Sequence, residues 1–205
     1  MLKFWELGPS PNNLKVRAAL RFKGLDFEAI PVDPANREPV LRVSGQVLTP
    51  VIEDRGIVLN DSEAILQYLD ANYRETPRLF PVDRDGRRAC DGWKARLDEI
   101  AMAHWYPVFA TAIGRRDAFE PSAIAGFSAW LGELENHLAG ADSFGGADQA
   151  INDLRVAEWA CYALPGKKLV QRSPLFARFK ALFAADPDAL PRLQAFLAPW
   201  NERLG

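Results

Sequence analysis

The stretch Phe4-Trp5-Glu6-Leu7-Gly8-Pro9-Ser10-Pro11-Asn12-Asn13-Leu14-Lys15-Val16-Arg17 sets the reading of the whole chain. From Leu2 to Glu6 apolar and polar side chains alternate as in a strand, and a Gly-Pro-Ser-Pro turn then breaks the pattern. Between Asn13 and Lys23, Val16, Ala19, Leu20 and Phe22 mark a helix, which stops at Gly24, a natural left-handed cap. Phe27 to Val32 is a second extended stretch and closes a β-α-β unit. Further out, Val47 to Ile52 and Ile57 to Leu59 flank the turn Glu53-Asp54-Arg55-Gly56 and predict an antiparallel hairpin. Ile65, Leu66, Leu69 and Tyr73 predict an amphipathic helix from Ser62 onward. Asp33 to Gly45, with Pro34 and Pro39, reads as an irregular link or a short helix.

Polar, proline-punctuated residues from Arg74 to Asp85 suit a linker, and everything after them reads as helix. Trp93, Leu97, Ile100 and His104 share one face, and Ile124, Phe127, Leu131, Leu134 and Leu138 a second. Three more faces carry Leu154, Ala157 and Cys161, then Leu175, Phe179 and Leu182, then Leu193, Phe196, Leu197 and Trp200. Turns at Gly114, Pro121, Gly140, Gly145-Gly146, Pro165-Gly166, Pro174 and Pro187 separate them. The expected class is α/β plus all-α, with residues 1–75 as a small α/β domain, 76–86 as linker and 87–205 as a helical bundle.

Composition narrows the function classes. A chain of 205 residues, 48% hydrophobic and 25% charged, is long enough to bury one large core or two small ones. A net charge of -2 with no basic run gives no footprint for nucleic acid. No apolar run is long enough to span a bilayer, and the first residues lack the pattern of a signal peptide, so a cytoplasmic location is the expectation. Cys90 and Cys161 are too few and too far apart for a disulfide framework. His104 and His137 make no ligand cluster, so no metal is expected. His104 reads as a packed histidine, and Trp93, Trp130, Trp159 and Trp200 as core or interface residues.

Four short motifs, in order and spacing, carry a resemblance. They are Ser10-Pro11-Asn12 leading into Lys15-Val16-Arg17, then Lys23-Gly24-Leu25, then Gly45-Gln46-Val47-Leu48-Thr49-Pro50-Val51, then Asp61-Ser62-Glu63-Ala64-Ile65. With them the chain resembles, over essentially its whole length, a cytosolic glutathione transferase of the serine-type, bacterial-like kind. The resemblance implies a thioredoxin-like N-terminal domain, an all-helical C-terminal domain, and glutathione as co-substrate.

The resemblance also implies roles. Pro50 would be cis and aim the Thr49 backbone at the cysteinyl unit of glutathione; Asp61 and Ser62 at a helix start would hold its glutamyl end, and Gln46 is a weaker candidate for the other end. Ser10 would donate a hydrogen bond to the thiolate, with Asn12 as the alternative donor. Bringing a thiol from about 8.5 to about 6.5 takes about 2.7 kcal/mol of preferential interaction with the anion, within reach of one such bond and a helix terminus. Without that chemistry both residues would simply build a turn and cap the helix. Trp105, Tyr106 and Phe109 would line the pocket of a small hydrophobic electrophile, or pack in the core. A homodimer and a detoxifying role follow from the same likeness. Its alternatives are a non-catalytic glutathione-binding or interaction protein, and a specialised glutathione-dependent lyase, isomerase or dehalogenase. Two departures stand out: Val43-Ser44-Gly45-Gln46 replaces the usual Asn-Pro-x-Gly, and Ala150-Ile151-Asn152-Asp153 keeps the aspartate of a Ser/Thr-x-x-Asp cap without its hydroxyl.

Overall fold

Strand β1, Leu2–Glu6, buries both its aromatic residues, Phe4 and Trp5, and forms the centre of the sheet. This computed structural model describes residues 1–145 and 150–205, so Gly146 of the expected Gly145-Gly146 turn lies outside the described residues. Helix α1, Pro11–Phe22, crosses over from β1 to β2, Phe27–Pro31, which runs parallel to β1 with Leu2 opposite Phe27. Helix α2 covers Glu38–Ser44 and ends at Gly45, whose φ of 73° is left-handed. Strands β3, Val51–Asp54, and β4, Ile57–Asn60, form the antiparallel hairpin, and the sheet order is β2-β1-β3-β4. The hairpin turns on Arg55 and Gly56, both at positive φ, the conformation that matches strand twist in a two-residue turn.

The hairpin begins later than its apolar pattern predicts. Pro50 has no N–H to give to a ladder, so Val47 and Leu48 stay outside the strand and exposed. Helix α3, Ser62–Asn72, completes a thioredoxin-like unit. Helix α1 is buried on almost every side, because the sheet covers one face while α3 and two helices of the second half cover the others. Asn13, Lys15 and Arg17 are therefore interior residues, contrary to the usual solvent face of an amphipathic helix.

The second half is helical: α4 (Arg84–Ile100), α5 (Tyr106–Ala112), α6 (Pro121–His137), α7 (Ala150–Ala160), α8 (Lys167–Arg172), α9 (Pro174–Phe183) and α10 (Pro191–Leu204). A π turn, Ala101–Trp105, joins α4 to α5. The short α8 carries no apolar period and was not anticipated. Asp70 fastens the linker, accepting from the N–H groups of Leu79 and Phe80 at 2.9 Å each, while Lys23 Nζ donates to it at 2.9 Å. Asp153 accepts from the Phe144 N–H at 2.7 Å, an interaction that ties the preceding loop to α7. One continuous apolar core runs from Leu2 and Phe4 in the sheet to Leu204, and Trp200 stacks on Phe22 at 5.8 Å between ring centres.

Candidate active site

Three backbone junctions build the first groove: the start of α1, the Thr49-Pro50 bond before β3, and the start of α3. Thr49-Pro50 is cis. Asn12, Gln46, Thr49, Pro50, Asp61 and Ser62 border a groove of about 390 Å³ there, together with Leu48 and Asn60. Asp61 stands at a left-handed φ of 72° as the N-cap of α3, and its Oδ1 accepts from the Ala64 N–H at 2.9 Å. The first N–H groups of α3 have no intrahelical partners, so this edge favours a carboxylate.

Ser10 and Asn12 separate. Ser10 is half-buried at the N-cap of α1, makes no side-chain cap bond, and borders neither groove described here; its carbonyl accepts from the N–H groups of Asn13 and Leu14. Asn12 is exposed and borders both grooves. The Ser62 hydroxyl donates to Asn12 Oδ1 at 3.1 Å, and this leaves the amide Nδ2 hydrogens without a partner among the described residues. Thr49 does not turn its oxygen freely to the groove, because Oγ1 accepts from Asn13 Nδ2 at 3.1 Å. Gln46 is folded onto its own loop, with Nε2 donating to Ser44 Oγ at 3.0 Å and to the Leu48 carbonyl at 2.9 Å.

A second pocket of about 390 Å³ adjoins the first, between the start of α1, the start of α3, and helices α4, α5 and α7. Its wall is far more polar than the expected aromatic lining. Lys15 Nζ donates to Glu63 Oε1 at 3.1 Å, Arg155 Nη2 donates to Glu63 Oε2 at 2.7 Å, and Glu158 lies beside them in the last turn of α7. Burial opposes charge on Lys15, but Glu158 and Glu63 outweigh it and hold the pKa above the ordinary lysine value. Burial likewise works against Glu63, but Lys15 and Arg155 hold its carboxyl below the usual range. In the sequence, Lys15 and Glu63 stand inside two of the motifs without a role of their own, and Arg155 and Glu158 were missed. The one signal was the charged pair Arg155 and Glu158, three apart, inside the otherwise apolar run from Leu154 to Leu164.

The three expected pocket aromatics also divide. Trp105 is fully buried, stacked on Phe109 at 4.6 Å and edge-on to Trp159 and Tyr162, so it belongs to the core. Phe109 is partly buried against Phe179. Tyr106, 42% exposed, borders the pocket. Tyr162, buried behind them, donates its hydroxyl to the Pro9 carbonyl and so links the end of α7 to the turn before α1. His104 packs its ring against Gly126 of α6. Among the described residues no group of His, Cys, Asp and Glu is placed to hold a metal ion.

A cis proline beside two helix starts, on a four-strand mixed sheet backed by a helical bundle, defines a thioredoxin-like class of protein. The family profile described as the glutathione S-transferase N-terminal domain matches residues 8–77. Glutathione transferase GST 23 of Zea mays is 30% identical over 196 residues, covering 87% of this chain and 86% of that protein. Glutathione S-transferase U4 of Arabidopsis thaliana is 28% identical over 156 residues, covering 75% of this chain and 66% of that protein. The crystal structure of rice GST1 in complex with glutathione superposes with a TM-score of 0.68 at 24% identity, over all of this chain and 87% of that one. The chain belongs to the glutathione S-transferase family.

Proposed function

We propose that this chain binds glutathione in the groove at the starts of α1 and α3, holds its thiol as the thiolate, and lets it attack a small electrophile in the adjoining pocket. The observation that carries the reading is the confluence of the two grooves at Asn12, which borders both. Asp61 and Ser62 receive the glutamyl end, the Thr49 backbone pairs with the cysteinyl unit, and residues 1–75 and 87–205 supply one groove and most of the other. The positive end of α1 has no acidic residue in its first turn to offset it, which favours an anion there.

Asn12 is the better candidate for the thiolate's hydrogen-bond donor. Its Nδ2 is unengaged and its Oδ1 is fixed by Ser62, so the amide is already oriented. Titrating thiolate ultraviolet absorbance of glutathione bound to the protein tests this. The bound thiol should ionise well below the free value of about 8.5. Asn12→Ala should return it most of the way, while Ser10→Ala should move it by only a few tenths. A bound thiol with the free value, or no binding, would leave a non-catalytic member of the family. The reverse ranking of the two variants would restore Ser10 as donor.

A further inference from the structure

Glu158 is an unusual carboxyl for the interior of a helix. It is 1% exposed, and its Oε1 has no hydrogen-bond partner among the described residues. Lys15 Nζ stands 3.7 Å from Oε2, beyond hydrogen-bond reach, because it is bonded to Glu63. The two terminal nitrogens of Arg155 are engaged elsewhere, with Glu63 and with the Cys90 carbonyl at 3.1 Å. Buried polar atoms are nearly always paired, and a buried carboxylate oxygen left without a donor is costly. The same side chain borders the electrophile pocket, which Tyr106, Trp159 and Asn12 also line. An acid that has only a longer-range ion pair to Lys15, and one oxygen without a hydrogen bond at a pocket wall, is suited to exchanging a proton with whatever enters.

We propose that Glu158 is a catalytic acid that protonates the electrophile after attack, and that the pocket takes electrophiles whose reaction needs that proton, conjugated carbonyl compounds foremost. This rests on the transferase reading above. The step balances. The thiolate sulfur bonds to the β-carbon, the C=C pair becomes the bond between the α-carbon and the carbonyl carbon, the C=O pair moves onto oxygen to give the enolate, and the Glu158 carboxyl gives its proton to that enolate. The carboxylate then regains a proton from water, equal to the one released when the thiol ionised. Burial pushes the Glu158 carboxyl up to about 7, Lys15 opposes this, Glu63 adds to it, Arg155 opposes and Asp98 adds. The groups facing it are thus Lys15 of α1, Glu63 of α3, Asp98 of α4, Tyr106 of α5, and Arg155, Cys161 and Tyr162 along its own helix and the turn after it. An acid of that strength supplies a proton at neutral pH and is half spent there, the condition in which general acids work best.

The test compares the wild-type chain with Glu158→Gln, using glutathione and two electrophiles. Benzylideneacetone needs a proton to complete the addition; chlorodinitrobenzene loses chloride and needs none. E158Q should lower kcat for benzylideneacetone about 100-fold and remove the fall in rate near neutral pH, a loss about tenfold larger than with chlorodinitrobenzene. Equal losses with both, or none, would overturn the proposal, since a structural role would act on both reactions alike. Wild-type turnover of chlorodinitrobenzene alone would overturn it and leave the transferase reading standing. Failure with both electrophiles and with glutathione binding would overturn both. Should E158Q not fold, Glu158→Asp keeps the acid and shortens its reach: a selective loss with benzylideneacetone supports the proposal, and parallel rates overturn it.

Discussion

Asn12 and Asn13 are adjacent and identical, yet they do unrelated work. Successive residues on a helix point about 100° apart, so one faces the grooves while the other has no exposed surface. Asn13 must satisfy its amide internally, and it does: Oδ1 accepts from the Leu7 N–H at 3.2 Å, and Nδ2 donates to Thr49 Oγ1 at 3.1 Å. It thereby fixes the turn before α1 against the residue before Pro50. Asn13→Ala should destabilise the chain by about 1–3 kcal/mol, because two partners lose a bond in a site closed to water. Thermal melting followed by circular dichroism would show it, and an unchanged midpoint would mean that solvent reaches both groups. The sequence marks Asn12 as a turn-and-cap residue, since that preference is a property of the residue type, and places Asn13 at the start of the helix with no role of its own. Which one is core depends on what covers α1.

At the scale of elements, periodicity located the strands and the longer helices, because it reflects side chains a few residues apart. It did not locate the π turn at Ala101–Trp105 or the role of Gly126. A glycine within a helix ordinarily costs about 1 kcal/mol against alanine and reads as a weak spot. Here the His104 ring occupies the space a side chain would take: a Cβ at Gly126 would meet His104 Cε1 at 2.1 Å and Nδ1 at 2.4 Å. Gly126→Ala should therefore destabilise by about 1–3 kcal/mol in spite of alanine's better helix propensity. His104→Ala in the same chain should recover part of that loss. Denaturant midpoints for the two single variants and the pair make the double-mutant cycle, and strictly additive effects would rule out the contact as the cause.

At the scale of the molecule, the two halves are joined by charge and hydrogen bonds as well as by apolar burial. Glu6 of β1 is 3% exposed and pairs with Arg17 of α1 and Arg172 of α8, while Tyr162 reaches the Pro9 carbonyl. Burial pushes the Tyr162 hydroxyl well above its ordinary pKa, so it remains a donor throughout the neutral range. Tyr162→Phe keeps the ring stacked on Phe176 and removes only the hydroxyl. It should raise the bound thiol's pKa and lower kcat/KM several-fold at pH values below that pKa, a loss that shrinks as pH rises through it, since the effect follows the thiolate fraction and no titration of Tyr162 intervenes. If the bound thiol titrates as in the wild-type chain, the Pro9 turn is held by other contacts. The sequence by itself determined the strand and helix order, the turn residues at the starts of α1 and α3, and the proline before β3. Those depend on backbone preference and short-range pattern. Only the tertiary structure decided that Trp105 enters the core, that Asn12 meets both grooves, and that Lys15, Glu63, Arg155 and Glu158 converge from three helices. The reason is physical: whether a charge is buried, paired or left alone is fixed by atoms that packing brings together from distant parts of the chain.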